Sequence, residues 1–284
     1  MRAPTAVVGS VNLDIVISLQ RRPGDGETVL GARYIEVPGG KGANQATAVA
    51  RAGHCALVGS VGDDNAAADV LTALRDAGVD VTHVHTSREA TGRAFITLTP
   101  DGENSIVVVP GANSRLTADL VTGALDEVRP VVVLCQLEIP DAAVMAAAAW
   151  CADHGSRFIL NASPVRPLPA AVRQLADPLV VNTVEASVLL DATALEPAEA
   201  AQLLSREARS VVLTAGAGGA YVAVAGDVQH VPAQPTTVSD TTGAGDAFAG
   251  SLASRLASES DLWAATRAGC AEAARVVSLP RTER

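Results

Sequence analysis

The sequence predicts an α/β fold with a central, mostly parallel sheet and helices on both of its faces. Short apolar runs, each the length of a buried strand, alternate with longer Ala-rich segments of helical character. This alternation indicates βαβ units. The predicted strands are residues 6–11, 56–61, 131–134, 158–160, 179–181 and 211–213. The predicted helices are residues 43–52, 66–77, 118–128, 141–154, 198–207 and 245–257.

Two segments break the alternation, at residues 15–37 and 91–109. Both combine apolar alternation with turn sequences, Arg-Pro-Gly-Asp-Gly and Pro-Asp-Gly-Glu-Asn. We interpret them as antiparallel strands that leave the main sheet and form a small β-sheet lid over a site; two surface hairpins without a role are the alternative. The chain contains no linker or repeat, so residues 1–284 are expected to form one domain with the lid inserted in it.

Composition excludes several classes of protein. The 284 residues carry a net charge of −10, which argues against nucleic acid as a partner. No apolar run approaches the roughly 18 residues that span a bilayer, so no membrane association is expected. The four cysteines are scattered, which favours reduced thiols and a cytoplasmic location over a disulfide scaffold or a zinc site.

A Gly-rich turn runs directly into the last predicted helix. Its small residues let the backbone N–H groups of Gly243, Ala244 and Gly245 converge at a helix start, where the helix dipole favours negative charge. This combination is typical of an anion site, most simply for phosphate. Asp246 follows in the first turn, and two interpretations stay open: an acid that only complements the dipole, or a general base for a hydroxyl that attacks phosphorus.

Further polar residues favour a sugar site. The loop Gly-Gly-Lys-Gly-Ala-Asn opens another predicted helix, and it offers Lys41, which is the sole lysine of the sequence, and Asn44 as donors. Asn12 and Asp14 alternate with apolar residues at the end of the first predicted strand, and Glu138 follows a later strand. Carboxylate and amide groups at strand ends suit sugar hydroxyls. A turn-forming role for these residues stays open.

Together these segments resemble the ribokinase/PfkB family of carbohydrate kinases. Three signatures carry the resemblance, namely the family's first motif, its sugar-side signature and its D-T-x-G-A-G-D signature, at residues 9–14, 39–46 and 240–246. Shorter segments follow in the family order between them, Gln-Leu-Glu at 136–138, Asn-Thr-Val-Glu at 182–185 and Thr-Ala-Gly-Ala-Gly-Gly at 214–219. The resemblance extends from about residue 6 to about residue 277.

The resemblance implies ATP-dependent phosphorylation of the 5-hydroxyl of D-ribose, which gives D-ribose 5-phosphate and ADP. It implies that Asp246 is the general base and that the amides of Gly243, Ala244 and Gly245 form an anion hole. The residues implied to hold the sugar are Asn12, Asp14, Gly39, Gly40, Lys41, Asn44, Glu138 and Asp246. Alternatives that stay open are a kinase of this family for another sugar or a nucleoside (fructose, deoxyribose, adenosine) and an inactive sugar-binding relative.

The other implied roles concern ATP, cations and a partner subunit. The residues implied to bind the nucleotide are Asn182, Glu185, Thr214, Gly216, Gly219 and Gly245. Glu185 would hold Mg²⁺ through water, and Asp240 and Thr242 would bind a monovalent cation such as K⁺. The lids would pack against each other in a homodimer. The family's closing T-R-x-G-A segment is missing before Arg284, so we expect a more open adenine pocket and a lower affinity for ATP.

Overall fold

The computed structural model describes residues 5–100, 104–258 and 261–279. Within these ranges the strands are β1 (Thr5–Val8), β2 (Asn12–Ser18), β3 (Arg33–Gly39), β4 (Cys55–Gly62), β5 (Val79–Asp80), β6 (Val84–Ser87), β7 (Gly92–Leu98), β8 (Asn104–Val109), β9 (Val132–Cys135), β10 (Arg157–Asn161), β11 (Leu179–Asn182), β12 (Val211–Thr214), β13 (Ala220–Val224) and β14 (Asp227–Val231). The helices are α1 (Lys41–Ala50), α2 (Asn65–Asp76), α3 (Ala118–Val128), α4 (Asp141–His154), α5 (Ala170–Leu175), α6 (Thr183–Leu189), α7 (Pro197–Leu204), α8 (Ala244–Ala257) and α9 (Leu262–Val277).

The large sheet has the strand order β14-β13-β12-β11-β10-β9-β1-β4-β5, and β6 also pairs with β4. Its pairs are parallel from β12 to β5, whereas β13 and β14 add an antiparallel edge. Successive residues of a strand point to opposite faces, so Val8 joins the core under α3, α4 and α7, whereas Val7 joins the core under α1, α2, α8 and α9. The predicted mostly parallel sheet with helices on both faces is confirmed.

A separate sheet of four strands, in the order β3-β2-β7-β8, forms from the two segments predicted to leave the main sheet. Each segment is an antiparallel hairpin, as predicted. The hairpins join through a parallel pair, β2 with β7, which the sequence did not indicate. Residues 101–103, at the turn of the second predicted hairpin, lie outside the described ranges. The chain's last five residues also lie outside them, and part of the expected opening of the adenine pocket depends on those residues.

The prediction of one strand over residues 6–11 is wrong. Strand β1 ends at Val8, and the chain crosses to the small sheet, where Asn12 begins β2. The physical reason lies in the side chain of Asn113, whose Oδ1 accepts from the Val11 N–H at 2.8 Å and whose Nδ2 donates to the Val11 carbonyl at 3.1 Å. These bonds replace a strand neighbour at Val11. Asn12 and Asp14 therefore lie on β2 and not at the end of the first strand.

The bounds predicted for the other helices and strands agree with the observed bounds or differ by a few residues at the ends. Helices α3 and α4 have the predicted bounds, and α1 begins two residues earlier than predicted, at Lys41. The sequence patterns did not indicate β13, β14 or α9. In the described part of the chain, no helix combines the length and the apolar character that crossing a membrane requires.

Helices α1 and α8 pack closely enough that a methyl group does not fit between them at Gly250. A Cβ at this position would lie 2.5 Å from the Cβ of Ala48 and 2.6 Å from the carbonyl oxygen of Gln45. Such an overlap forces the two helices apart, because neither contact is the flexible end of a side chain.

We therefore expect Gly250→Ala to lower the free energy of unfolding by about 1–3 kcal/mol, as measured by urea denaturation. The matched control is Gly123→Ala in α3, where a Cβ meets nothing within 4 Å; it should raise stability by about 0.5–1 kcal/mol through helix propensity. Equal effects of the two substitutions would contradict the close contact.

Candidate active site

The loops after β1 and β9 meet at the carboxyl edge of the large sheet. From this pair the sheet grows towards β4 on one side and towards β10 on the other, and ligands of open α/β sheets bind in the crevice at such a point. Ser10 Oγ donates to Glu138 Oε2 at 2.6 Å, and the Lys41 N–H donates to the same oxygen at 3.0 Å. Glu138 thus fixes the start of α1 against this crevice.

The carboxylate of Asp246 lies against α1. Asp246 is the third residue of α8, whose N-cap is Gly243. Gln45 Nε2 donates to Oδ1 of Asp246 at 2.9 Å, and Asn44 Nδ2 donates to Oδ2 at 3.2 Å. The predicted position in the first helical turn is therefore observed, and the side chain points into the protein towards the Lys41 loop.

Burial raises the pKa of Asp246 above its ordinary value, because the ionised form loses solvation. The positive charge of Lys41 and the hydrogen bonds from Gln45 and Asn44 oppose this effect, whereas the negative charge of Glu138 adds to it. A carboxylate with a raised pKa is a stronger base than one in water.

A cavity of 390 Å³ opens beside Asp246. Five of the residues predicted to act at the site line this cavity, namely Asp14, Asn44, Thr242, Gly243 and Asp246. Asp14 is 8% exposed, and its carboxylate packs directly against Gly39, where a side chain would not fit. The cavity thus joins the small sheet, α1 and the start of α8.

A second cavity, of 490 Å³, lies on the other side of the α8 start. Its mostly apolar wall includes Val238, Phe248 and Cys270. Four residues predicted to bind nucleotide also line it, namely Thr214, Gly216, Gly219 and Gly245. Ligand sites typically enclose about 300–1,000 Å³, so this cavity is large enough for a nucleoside.

The two cavities are separated by a single turn, residues 241–246. Thr242, Gly243 and Asp246 line the smaller cavity, whereas Thr241, Ala244 and Gly245 line the larger one. Gly243 has φ = 77°, in the left-handed region that favours glycine, and a Cβ at Gly243 or Gly245 would meet nothing within 4 Å. The turn therefore leaves open space beside Gly243 and Gly245 for a bound group.

Several predicted sugar-site residues do not line the smaller cavity. Asn12 is 2% exposed, and its Oδ1 accepts from Asn113 Nδ2 at 2.8 Å. Gly40 caps α1 with φ = 86°, and a Cβ there would lie 2.9 Å from the backbone nitrogen of Asn12. Among the described residues, the wall of the smaller cavity does not include Asn12, Gly39, Gly40, Lys41 or Glu138.

The predicted nucleotide residues Asn182 and Glu185 form a capping box at the start of α6. Asn182 Oδ1 accepts from the Glu185 N–H at 2.8 Å, and Glu185 Oε2 accepts from the Asn182 N–H at 2.8 Å. Asn182 ends β11 beside Thr214 of β12, so this pair lies at the same edge of the sheet as the larger cavity.

The predicted cation residues Asp240 and Thr242 lie close together. Asp240 Oδ1 accepts from the Thr242 N–H at 2.8 Å, which places both residues in the turn before α8. Across residues 5–100, 104–258 and 261–279, no group of three or more His, Cys, Asp or Glu side chains could hold a metal ion. A Mg²⁺ ion held by phosphates and water needs no such group, so the role implied for Glu185 does not depend on one.

Three buried amide side chains form a network that ends at Asp246, and none of them was predicted to act at the site. They are Gln45, Gln136 and Asn161. Gln45 Nε2 donates to Asn161 Oδ1 at 3.0 Å, and Gln136 Nε2 donates to Gln45 Oε1 at 2.7 Å. Gln45 and Gln136 lie within segments that carry the resemblance, yet their contacts join residues that are 91 or more positions apart, so no local pattern indicated them.

The chain is similar to known proteins in sequence and in fold. A model of the pfkB family carbohydrate kinases matches residues 3–283. A ribokinase of Bacillus subtilis (strain 168) is 38% identical over 270 residues, 92% of this chain and 88% of that protein. A ribokinase of Haemophilus influenzae is 35% identical over 281 residues, 96% of this chain and 92% of that protein.

A solved structure agrees as well. Arabidopsis thaliana ribokinase complexed with ribose and ATP matches with a TM-score of 0.88 and 30% identity, over 98% of this chain and 94% of that chain. Because the family model covers almost the whole sequence and these relatives match over most of both lengths, the chain belongs to the pfkB family of carbohydrate kinases.

Proposed function

We propose that this protein transfers the γ-phosphoryl group of ATP to the 5-hydroxyl of D-ribose, which yields D-ribose 5-phosphate and ADP. The observation that carries the proposal is the turn at residues 241–246, which separates two cavities and presents a carboxylate to one and a helix start to the other. The names of the relatives support ribose as the acceptor, and the Arabidopsis complex supports ATP as the donor.

In the proposed reaction, the sugar occupies the smaller cavity. The 5-hydroxyl oxygen attacks the γ-phosphorus, its proton passes to Asp246, and the bond from the γ-phosphorus to the bridging oxygen breaks, so that ADP leaves with the electron pair. The raised pKa of Asp246 suits it to accept this proton. Asp14 and Asn44, which line the cavity, are proposed to hold sugar hydroxyls. The same role is proposed for Asn12, Gly39, Gly40, Lys41 and Glu138.

The start of α8 is proposed as the anion hole. The amides of Gly243, Ala244 and Gly245 lie at the positive end of the α8 dipole, in the turn between the two cavities. Fixed N–H groups stabilise charge that develops on the transferred phosphoryl group without having to reorient. The open space at Gly243 and Gly245 leaves room for phosphate oxygens.

The nucleotide is proposed to bind in the larger cavity, along Thr214, Gly216 and Gly219. Mg²⁺, when bound, would neutralise phosphate charge, and Asn182 and Glu185 are the residues proposed to hold it through water. For a monovalent cation such as K⁺, Asp240 and Thr242 are proposed. We place the reaction in the cytoplasm, where ATP is available and where free thiols, such as those of the four buried cysteines, stay reduced.

The small sheet is proposed to act as a lid within a single domain, and as the interface of a homodimer. Its own core consists of Val16, Ala94 and Ile96, whereas apolar side chains remain exposed on the sheet, among them Tyr34 (66%) and Val107 (63%). An exposed apolar patch of this kind is typical of an interaction surface. A second copy of the lid would cover it.

The acceptor can be identified by ADP release with ribose, 2-deoxyribose, fructose and adenosine at saturating ATP. We expect ribose to have the highest kcat/KM, because a site that hydrogen-bonds a hydroxyl discriminates strongly against an analogue without it. A poor rank for ribose would overturn the proposed substrate. Ribose binding by calorimetry without any turnover would instead identify an inactive sugar-binding protein.

Asp246→Asn is expected to lower kcat by about 10²–10⁴-fold, while the Kd for ribose changes by only a few-fold, because the amide keeps the size of the carboxylate and its oxygen can still accept from Gln45. The control is Asp119→Asn, which replaces a first-turn acid of α3 and should leave kcat unchanged. Near-normal kcat in Asp246→Asn would show that Asp246 only complements the helix dipole.

Sedimentation velocity at micromolar concentration tests the interface. We expect a dimer of the 28.8 kDa chain that dissociates in Val107→Asp, since a charge buried in an apolar interface is strongly unfavourable. Met145→Asp, at a 45% exposed position on α4, is the control and should stay dimeric. A monomeric unmodified protein under these conditions would refute the interface.

A further inference from the structure

The side chain of Gln45 is completely buried beside Asp246, and it makes three hydrogen bonds. Its Nε2 donates to Asp246 Oδ1 at 2.9 Å and to Asn161 Oδ1 at 3.0 Å, and its Oε1 accepts from Gln136 Nε2 at 2.7 Å. A buried amide with its donor and acceptor atoms all engaged is held in one orientation.

A contact with the large sheet determines which atom donates and which accepts in each of these bonds. Asn161 Nδ2 donates to the carbonyl oxygen of Val180 on β11 at 3.3 Å, and a carbonyl can only accept. Asn161 must therefore turn its Oδ1 towards Gln45, which in turn must present its N–H groups. With Gln45 flipped, its Oε1 would face two acceptor oxygens, and its Nε2 would face the donor Nε2 of Gln136. The main chain of the large sheet thus dictates that a neutral donor faces Asp246.

The two oxygens of Asp246 consequently differ. Oδ1 receives the shorter bond, from fully buried Gln45, whereas Oδ2 receives a longer bond, 3.2 Å, from Asn44, which lines the smaller cavity. We propose that Gln45 is a positioning residue that holds Oδ1 of Asp246 and leaves Oδ2 to accept the proton of the sugar hydroxyl. This inference rests on the proposed role of Asp246 as the general base.

Gln45 also acts on the ionisation of Asp246. A donor to the carboxylate stabilises the ionised form and thus offsets part of the effect of burial. It does so as a neutral donor, in addition to the effect of the positive charge of Lys41. The active form is ionised, so kcat/KM falls as the pH drops through the pKa of Asp246, and loss of the donor must move this acid limb to higher pH.

The test compares pH profiles of kcat/KM for Gln45→Met, Gln45→Glu and the unmodified protein. Methionine keeps the length without a donor, and we expect its acid limb about one unit higher and a kcat deficit that shrinks as the pH rises. Glutamate places a second carboxyl group beside Asp246, so its acid limb should move at least as far. Glutamate also keeps the size and polarity of the site should the methionine variant not fold.

The matched control is Gln136→Met, which removes a buried amide of the same network but leaves the bond from Gln45 to Asp246. Its acid limb should move less than that of Gln45→Met, even where its melting temperature falls as much. A purely structural Gln45 would instead lower kcat equally at every pH in all these variants.

A second measurement separates this inference from the proposed function. Carboxyl ¹³C NMR follows the titration of Asp246 directly, with its signal assigned by Asp246→Asn, and needs no turnover. If ribose is not phosphorylated, the proposed function fails, yet the NMR titration still decides the role of Gln45. Titration of Asp246 at the same pH in the unmodified protein, Gln45→Met and Gln45→Glu would overturn the inference.

Discussion

The arrangement of the site depends on the contact between α1 and α8. Helix α1 supplies Asn44 and Gln45 to the carboxylate of Asp246, and α8 supplies the carboxylate together with the turn that separates the two cavities. Gly250, one turn after Asp246, is what allows the helices to approach so closely. A small residue that binds nothing therefore sets the distance over which the polar groups of the site act.

The early end of β1 also helps to form the site. Because β1 ends at Val8, residues 9–11 are free to turn across the carboxyl edge, where Ser10 Oγ reaches both Glu138 and the N–H of Gly42. Asn113 supplies the hydrogen bonds that a strand partner would have supplied at Val11. Backbone polar groups at a crossing between sheets have to be satisfied, and a single side chain satisfies them here without closing the crevice.

Sequence patterns predicted the parts of this structure that repeat. Apolar runs predicted most strands of the parallel region, and α3 and α4 have the predicted bounds, because burial on both faces of a sheet leaves a local signal. The same patterns placed Asp246 in a first helical turn, beside the predicted anion site. They did not reveal that Asn12 opens β2 or that Gln45 contacts Asp246, since both depend on partners that lie far away in the sequence. Strand β14, at the edge of the large sheet, is mostly exposed and carries a weak pattern.

The sequence left two interpretations of Asp246, a helix-start acid or a base, and a comparison with Asp64 favours the base. Asp64 caps α2; although burial raises its pKa, the hydrogen bonds from Thr91 and Ala67 outweigh this and lower it, so ionised Asp64 adds stability above the pKa of the unfolded chain. Burial raises the pKa of Asp246 despite its donors, so ionisation of Asp246 costs stability as the pH rises through the raised pKa. Because ionised Asp246 lowers stability in this way, a role in catalysis explains it better than helix capping does.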